Sequence, residues 1–378
     1  MTHAHTAPSD RKRYLDWLRG VGVLVMIQGH VIDSWTFAED RRREAYHLIS
    51  FVGGVGGAPL FLFLAGVALT LGAVARVKRG RTEAEAAALA RRRGWQIFGL
   101  AFLFRLQSWI ISGGPPSSLL KVDILNIIGL SIVAAAVILS IRRPCRAALF
   151  TVAAVAFAMF TPIVRALTPL AALPDPLERY LRPVGTATAF TLFPWAGFLF
   201  AGCAVGLWLD TKTPREERWV NYAVAVAGAA LVVAGYGASF LPAIYAHTDF
   251  WTSSPTFFFI RLGFLLMLVG VAYLWHTDRR GQSRIPIFFT RAPLVELGRS
   301  SLFVYWIHVE MAYGILTAPL HRRLPLEEAY VGFLLFALML YGLVKTKNRV
   351  LGFNGAQVLG FRFTGSRFSG SRRRASSI

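Results

Sequence analysis

Ionisable side chains that could carry out acid–base chemistry occur in an otherwise apolar segment, residues 14–36. Asp16, Arg19, His30 and Asp33 follow one another at helical spacing, which places them on one face of an α-helix. An imidazole can take up and release a proton near neutral pH, and a carboxylate one turn away can fix its tautomer. The segment therefore predicts a proton-transfer centre at His30, with Asp33 as its partner.

A purely structural interpretation of the same face is also open. Asp16 and Arg19 could form an ion pair between residues three apart, and His30 could hydrogen-bond a neighbouring helix. Arg19 and His30 are about three turns, roughly 16 Å, apart along a helix. If both face inward, Arg19 lies near one membrane surface and His30 lies in the opposite half.

The elements that must position these residues are predicted to be membrane-spanning helices. The 378-residue chain is 55% hydrophobic and only 16% charged, whereas about a quarter of the residues in soluble domains are charged. Apolar runs of about 20 residues, enough to cross roughly 30 Å of hydrocarbon, recur along its length. The predicted fold class is all-α, a polytopic membrane protein with about ten transmembrane helices. The predicted spans are residues 14–36, 49–75, 94–112, 120–141, 147–167, 187–209, 219–240, 256–276, 293–317 and 327–344.

The distribution of basic residues predicts the orientation and the division of the chain. With both termini in the cytoplasm, the inner segments hold 28 of the 41 Lys and Arg residues and the outer segments hold 9, as the positive-inside rule requires. Residues 1–13 are then a cytoplasmic tail, residues 14–345 a transmembrane domain, and residues 346–378 a basic, disordered cytoplasmic tail. The net charge of +21 accompanies no nucleic-acid-binding motif, so we expect no nucleic-acid partner.

Other spans add further candidates. The fourth span opens with Lys121, Asp123 and Asn126, and the ninth carries Ser301, Tyr305 and His308 on one face. The Gly-rich start of the second span, FVGGVGGAPLFLFLAG, either allows close helix packing or borders a ligand cavity. Neither cysteine lies in a metal-ligand spacing. We expect no metal site.

Five motifs occur in order between residue 14 and about residue 315. They are Leu15, Asp16, Arg19 and Gly20 in the first span, APLFLFLAG (58–66), VDILNIIGL (122–130), FPWAGFLFAGCAVG (193–206) and LGRSSLFVYWIHV (297–309). Together they resemble the motifs of the heparan-α-glucosaminide N-acetyltransferase-like family of membrane proteins. The resemblance implies that the transmembrane domain, residues 14–345, is acyltransferase-like and that it uses acetyl-CoA as its donor.

The spacing between Arg19 and His30 also resembles the Arg-x10-His pair of a wider superfamily of membrane acyltransferases that act on cell-surface glycans. The match implies His30 as the catalytic residue and Arg19 as its partner on the acyl-CoA side. In the animal lysosomal relatives an Asn stands at the position of His30, and their active His lies in the following loop, where the nearest candidate here is His47. The candidate catalytic set is His30, Arg19, Asp16, Asp33, His47 and His308.

The implied reaction moves an acyl group across the plasma (inner) membrane, from cytosolic acyl-CoA to a sugar, glycan or lipid-linked acceptor outside. His30 would deprotonate the acceptor or carry the acyl group itself. Basic residues of the inner loops could hold the CoA phosphates, or they could be solvated residues that only set the orientation. The candidates are Arg76, Lys78, Arg79, Arg91, Arg92 and Arg93.

Two other function classes fit the same polar face. A transporter or exporter could use it as a proton or substrate path, and a non-catalytic membrane protein could keep the fold alone. The expected partners are acyl-CoA, a sugar or glycolipid acceptor and membrane lipids, and a homo-oligomer is compatible with the sequence.

Overall fold

The computed structural model describes residues 12–141, 143–185, 188, 190–211, 213–276 and 291–350. Within these residues the chain forms α-helices and short 3-10 turns, with two isolated β-bridges. Most of the two predicted tails lies outside the described residues, although the last helix extends to Val350. The helices are α1 (Arg13–Trp35), α2 (Glu44–Gly56), α3 (Ala58–Lys78), α4 (Glu83–Ser112), α5 (Ile124–Leu139), α6 (Arg143–Ala166), α7 (Asp175–Leu181), α8 (Leu192–Trp208), α9 (Pro214–Ala238), α10 (Pro255–His276), α11 (Arg291–Arg299), α12 (Ser301–Tyr313) and α13 (Leu326–Val350).

The predicted fold class, an all-α polytopic membrane protein, is confirmed. Each of the ten predicted spans corresponds to one helix or to one helix pair, α2–α3 or α11–α12. Among the described residues, six helices are long and apolar enough to cross a membrane: α1, α2–α3 taken together, α6, α9, α10 and α13. Helices α5 and α8 are apolar but shorter. The exact count of ten spans stays a prediction.

Three helices begin at capping boxes, which satisfy backbone N–H groups that have no partner inside the helix. The N-cap residues are Thr82 for α4, Asp123 for α5 and Thr213 for α9. In α4 the Thr82 hydroxyl accepts from the N–H of Glu85 (3.1 Å), and the Glu85 carboxylate accepts from the N–H of Thr82 (2.9 Å). These sequence-local bonds fix where the helices start.

Ion pairs gather the loops at two opposite ends of the bundle. The segments predicted to be cytoplasmic meet at one end, and the segments predicted to be external meet at the other, which we call the inner end and the outer end after the predicted orientation. The inner-end pairs are Lys12–Glu217 (2.6 Å), Lys78–Asp210 (2.7 Å) and Arg146–Glu83 (2.6 Å), and the outer-end pairs are Arg43–Glu327 (2.6 Å) and Arg41–Asp33 (3.6 Å).

Glycines allow neighbouring helices to approach to backbone contact. A Cβ atom at Gly202 of α8 would overlap the carbonyl oxygen of Phe63 in α3, and one at Gly66 would overlap the carbonyl oxygen of Leu199. Helices α1 and α11 meet in the same way at Gly20. Such small-residue contacts are a common means of helix association in membranes. They hold α1, the carrier of His30, and α3 in fixed positions.

We expect Gly202→Ala to destabilise the bundle by about 1–3 kcal/mol, because the added methyl group forces α3 and α8 apart. The melting temperature of the detergent-solubilised protein, followed by size-exclusion chromatography after heating, measures the loss. Gly99→Ala is the control, since no atom lies within 4 Å of a Cβ at that helical position. Equal melting temperatures for the two variants would contradict the packing argument.

Candidate active site

A cavity of about 980 Å³ runs through the bundle between the inner and outer ends. On α1 alone its lining extends from Arg19 to Asp33, a distance of about 21 Å along a helix. Arg76 and Arg93 line its inner part, and Tyr46 lines its outer part. The polar face predicted for the first span therefore borders a space that reaches toward both sides of the membrane.

Apart from Arg165, at the outer edge of the fifth predicted span, four arginines lie within the predicted spans, and all four line this cavity: Arg19, Arg105, Arg261 and Arg299. A charged side chain in contact with lipid tails is costly, so intramembrane arginines are expected to face a bundle interior or a water-filled space. The structure agrees with this expectation for each of them.

His30 lines the cavity and is hydrogen-bonded to a second histidine. Its Nδ1 atom lies 2.8 Å from Nε2 of His308, which is fully buried, and the two ring planes differ by only 12°. The Nδ1 atom of His308 lies 2.9 Å from the carbonyl oxygen of Val304. The two rings and the carbonyl thus form one hydrogen-bonded chain.

The carbonyl group determines which atom donates in each of these hydrogen bonds, because a carbonyl oxygen can only accept a hydrogen bond. Nδ1 of His308 must therefore carry the proton, and Nε2 of the neutral His308 ring is an acceptor. His30 then donates from Nδ1, so its own Nε2 atom keeps a free lone pair. The pair leaves His30, a residue of the cavity lining, with one unprotonated nitrogen, as a general base or a nucleophile requires.

The predicted hydrogen bond between His30 and Asp33 is not formed, and His308 takes the place of Asp33 as the tautomer-fixing partner. The Asp33 carboxylate instead accepts from the Tyr313 hydroxyl (2.8 Å) and pairs with Arg41 (3.6 Å). These partners at the outer end draw the carboxylate away from the imidazole. Tyr313 also packs edge-on against the His30 ring, with centroids 5.5 Å apart.

Asp16 is buried and lies outside the lining of the cavity, although it was predicted as part of the catalytic face. Its carboxylate oxygens lie 3.7 Å from Nη1 of Arg19 and 3.4 Å from Nε of Arg299. Asp16 therefore orients two arginines at the inner end of the cavity, which supports the ion-pair interpretation for this residue.

Two of the six predicted CoA-binding residues line the cavity, and the other four do not. Arg76 and Arg93 reach it, while Lys78, Arg79, Arg91 and Arg92 are exposed. The difference within α4 follows from helical phase, because Arg93 shares its face with the lining residues Ala90 and Ile97. Lys78 is also paired with Asp210 across the inner end.

Asp123 forms a second polar cluster in the wall of the cavity. Its carboxylate accepts from Arg105 (2.8 Å), from the Tyr305 hydroxyl (3.0 Å) and from the backbone N–H of Ile124 (2.6 Å). Tyr305 packs edge-on against His308, with centroids 5.7 Å apart. The sequence marked these residues as polar groups in separate spans but gave no sign that they meet.

The profile of the family described as heparan-alpha-glucosaminide N-acetyltransferase, catalytic, matches residues 11–248. This match covers more than half of the chain. The protein belongs to this family. It is therefore a member of a membrane acyltransferase family. A comparison with curated proteins found no match.

The region that matches the N-acetyltransferase family contains both candidate histidines of the N-terminal part, His30 and His47. His47 is exposed on α2 and does not line the cavity, whereas His30 does. Of these two histidines, only His30 is part of the candidate site. His308, the partner of His30, lies beyond the matched residues.

The Gly-rich segment of α2 serves both of the roles considered for it. Gly53, Gly54 and Gly57 line the cavity, while a Cβ at Gly56 would lie 3.1 Å from the Val25 side chain of α1. The chain leaves helical geometry at Gly57, where α2 gives way to α3. The segment is at once a packing surface and a wall of the site.

We expect Asp123→Ala to lower stability by about 3–5 kcal/mol, since it leaves the Arg105 guanidinium without its buried counter-charge. Thermal denaturation in detergent measures the loss. Asp175→Ala is the matched control, because that carboxylate is 65% exposed and an exposed pair contributes about 0–1 kcal/mol. If both variants melted together, the Asp123 cluster would have no structural role.

Proposed function

We propose that this protein transfers an acetyl or similar acyl group from acyl-CoA at the inner end to a sugar, glycan or lipid-linked acceptor at the outer end. The observation that carries the proposal is the position of His30, which lines a cavity bordered by residues of both ends and is hydrogen-bonded to His308 through Nδ1. Membership of the acyltransferase family supports it. We further propose the plasma (inner) membrane as its location.

The inner part of the cavity suits the donor. Arg19, Arg76, Arg93 and Arg299 line it, and guanidinium groups bind phosphate oxygens in a bidentate manner. Arg19 and His30 are about 16 Å apart along α1, so that a long thioester held by its phosphates at the inner end can extend toward the imidazole. In the proposed complex the reacting carbon of the donor lies near His30.

In the proposed reaction Nε2 of His30 takes the proton from the acceptor N–H or O–H group. At the same time the nitrogen or oxygen of that group forms a bond to the thioester carbonyl carbon. The C–S bond then breaks, and the proton passes from Nε2 to the departing CoA thiolate. His308 keeps its proton on Nδ1 and holds the Nδ1–H of His30 throughout. In a covalent version, Nε2 attacks the carbonyl carbon first, and the C–S bond breaks to release CoA. The acceptor nitrogen or oxygen then takes the acetyl group from Nε2 and gives its proton to that nitrogen, and the acetyl-histidine intermediate would be detectable by mass spectrometry.

A transporter remains the second candidate, because the cavity is lined by residues of both ends of the bundle. Accumulation of substrate in sealed vesicles without acyl-CoA would support transport. Acetylated product that forms only when acyl-CoA and acceptor are on opposite sides would support transfer.

We expect His30→Ala to lower acetyl transfer by about 10²–10⁴-fold, the usual contribution of a general base, in a protein that still folds although it loses the hydrogen bond to His308. Turnover of radiolabelled acetyl-CoA by the purified protein measures it. His47→Ala is the control and should keep wild-type activity. Full activity in His30→Ala would remove His30 from the site.

His308 is a positioning residue, and its variants should affect kcat more than KM. His308→Leu removes the acceptor for His30 Nδ1–H, so kcat should fall by at least about tenfold, the equivalent of one lost hydrogen bond of roughly 1.5 kcal/mol. His308→Gln offers a carbonyl oxygen in place of Nε2 and should restore most of the activity. Equal activity of the Leu and Gln variants would contradict this role.

We expect Arg93→Ala to weaken CoA binding by about tenfold or more, because a charge-assisted hydrogen bond to phosphate contributes roughly 1.5–3 kcal/mol. Isothermal titration of the purified protein with CoA measures the change. Arg92→Ala removes the same charge from the exposed face of the same helix and should leave the affinity unchanged. A similar loss in both variants would indicate only a general effect of positive charge.

A further inference from the structure

Arg261 lies in α10, in the wall of the cavity and at the depth of His30. Its guanidinium packs over the Phe257 ring, 4.0 Å from the centroid. Its Nη2 atom lies 3.7 Å from the point that a Cβ atom would occupy at Gly54 in α2. The adjacent residue Gly53 has its Cβ position 3.9 Å from the Cα atom of Gly29, the neighbour of His30. The glycines of α2 thus connect the level of Arg261 with that of the imidazole.

Arg261 differs from the other three intramembrane arginines in its partners. Arg19 and Arg299 face Asp16, and Arg105 is bound to Asp123. Within the part of the chain that the structure describes, Arg261 has no hydrogen bond or ion pair, and its Nε atom is buried without a partner. A charge in a membrane interior without a counter-charge is costly, so we expect a bound anion to be the partner of Arg261.

The outer part of the cavity has the composition of a sugar-binding site with a positive bias. Lys121 is a second cation in its lining, Glu310 is a carboxylate there, and the charge of Asp33 is offset by Arg41. The outer part therefore has two cations, Arg261 and Lys121, and one carboxylate, that of Glu310, in addition to the Asp33–Arg41 pair. Phe190 and Trp195, whose rings lie 4.8 Å apart, line the same cavity and offer aromatic faces to a sugar ring.

We infer that Arg261 binds an anionic group of the acceptor, a phosphate or a carboxylate, and that the acceptor is therefore an acidic sugar compound. The inference rests on the proposed function, since it assigns a substrate class to the outer part of the same cavity. Guanidinium groups bind phosphate and carboxylate in the same bidentate manner, so either chemistry satisfies the site.

Binding measurements test this inference without catalysis. Saturating CoA first occupies the phosphate-binding arginines of the inner end. Titration then compares three amino sugars that share one amine: methyl glucosaminide, glucosamine 1-phosphate, and methyl glucosaminuronide, which carries a carboxylate at C6. We expect at least one acidic sugar to bind about 10- to 100-fold more tightly than methyl glucosaminide, the effect of one charge-assisted hydrogen-bonded pair.

Three variants assign the preference to Arg261. Arg261→Met should abolish the preference for the acidic sugar, and Arg261→Lys should keep part of it. Arg323→Gln removes one charge from an exposed position at the same end and should leave the preference intact. The preferred probe identifies phosphate or carboxylate as the anion, and a prenyl-phosphate-linked glucosamine in nanodiscs, compared with glucosamine 1-phosphate, distinguishes a lipid-linked from a free acceptor.

A second measurement separates an anion-binding role from a structural role. Arg261→Met should melt at or above the wild-type temperature, because the substitution removes a buried charge and leaves no partner unsatisfied. A lower melting temperature would overturn the inference, as would equal binding of all three sugars by the wild type. Absence of acetyl transfer with a retained, Arg261-dependent preference would overturn the proposed reaction and leave the anion site standing.

Discussion

The free-energy cost of placing a charge in hydrocarbon is the constraint on which this structure depends. A bundle that carries arginines at Arg19, Arg105, Arg261 and Arg299 cannot turn them toward lipid, and each lines one internal cavity. The helices that bear them must therefore surround a common polar space. That space runs between the two ends of the bundle, and His30 is part of its lining.

Close helix packing makes this polar space compatible with a stable bundle. Glycines at the crossing of α3 and α8 and at Gly20 of α1 bring backbones into contact, so that dispersion contacts hold the helices where lipid offers no hydrophobic drive. Helix α1 is fixed in this way against α11 while its polar face remains open to the cavity. Asp16 adds an electrostatic link at the same crossing, because it faces both Arg19 and Arg299.

The tautomer of His30 follows from a chain of hydrogen bonds, in each of which only one of the two groups can be the donor. The Val304 carbonyl determines the tautomer of His308, and His308 determines the tautomer of His30. A backbone carbonyl cannot reverse its role, so the unprotonated nitrogen of the neutral His30 ring is Nε2. The role proposed for His30, that of a general base, requires such a nitrogen.

The all-α membrane fold, the positions of the helices and the polar face of α1 could be predicted from the sequence, because apolar length and helical periodicity are properties of each segment alone. The same periodicity identified Arg19 and His30. The hydrogen bond of His30 to His308, rather than to Asp33, and the contact of Arg93, but not of Arg92, with the cavity depend on how the helices pack. His30 and His308 are 278 positions apart and meet through the packing of whole helices. The rotation of one helix relative to another cannot be predicted from the spacing of residues along either helix.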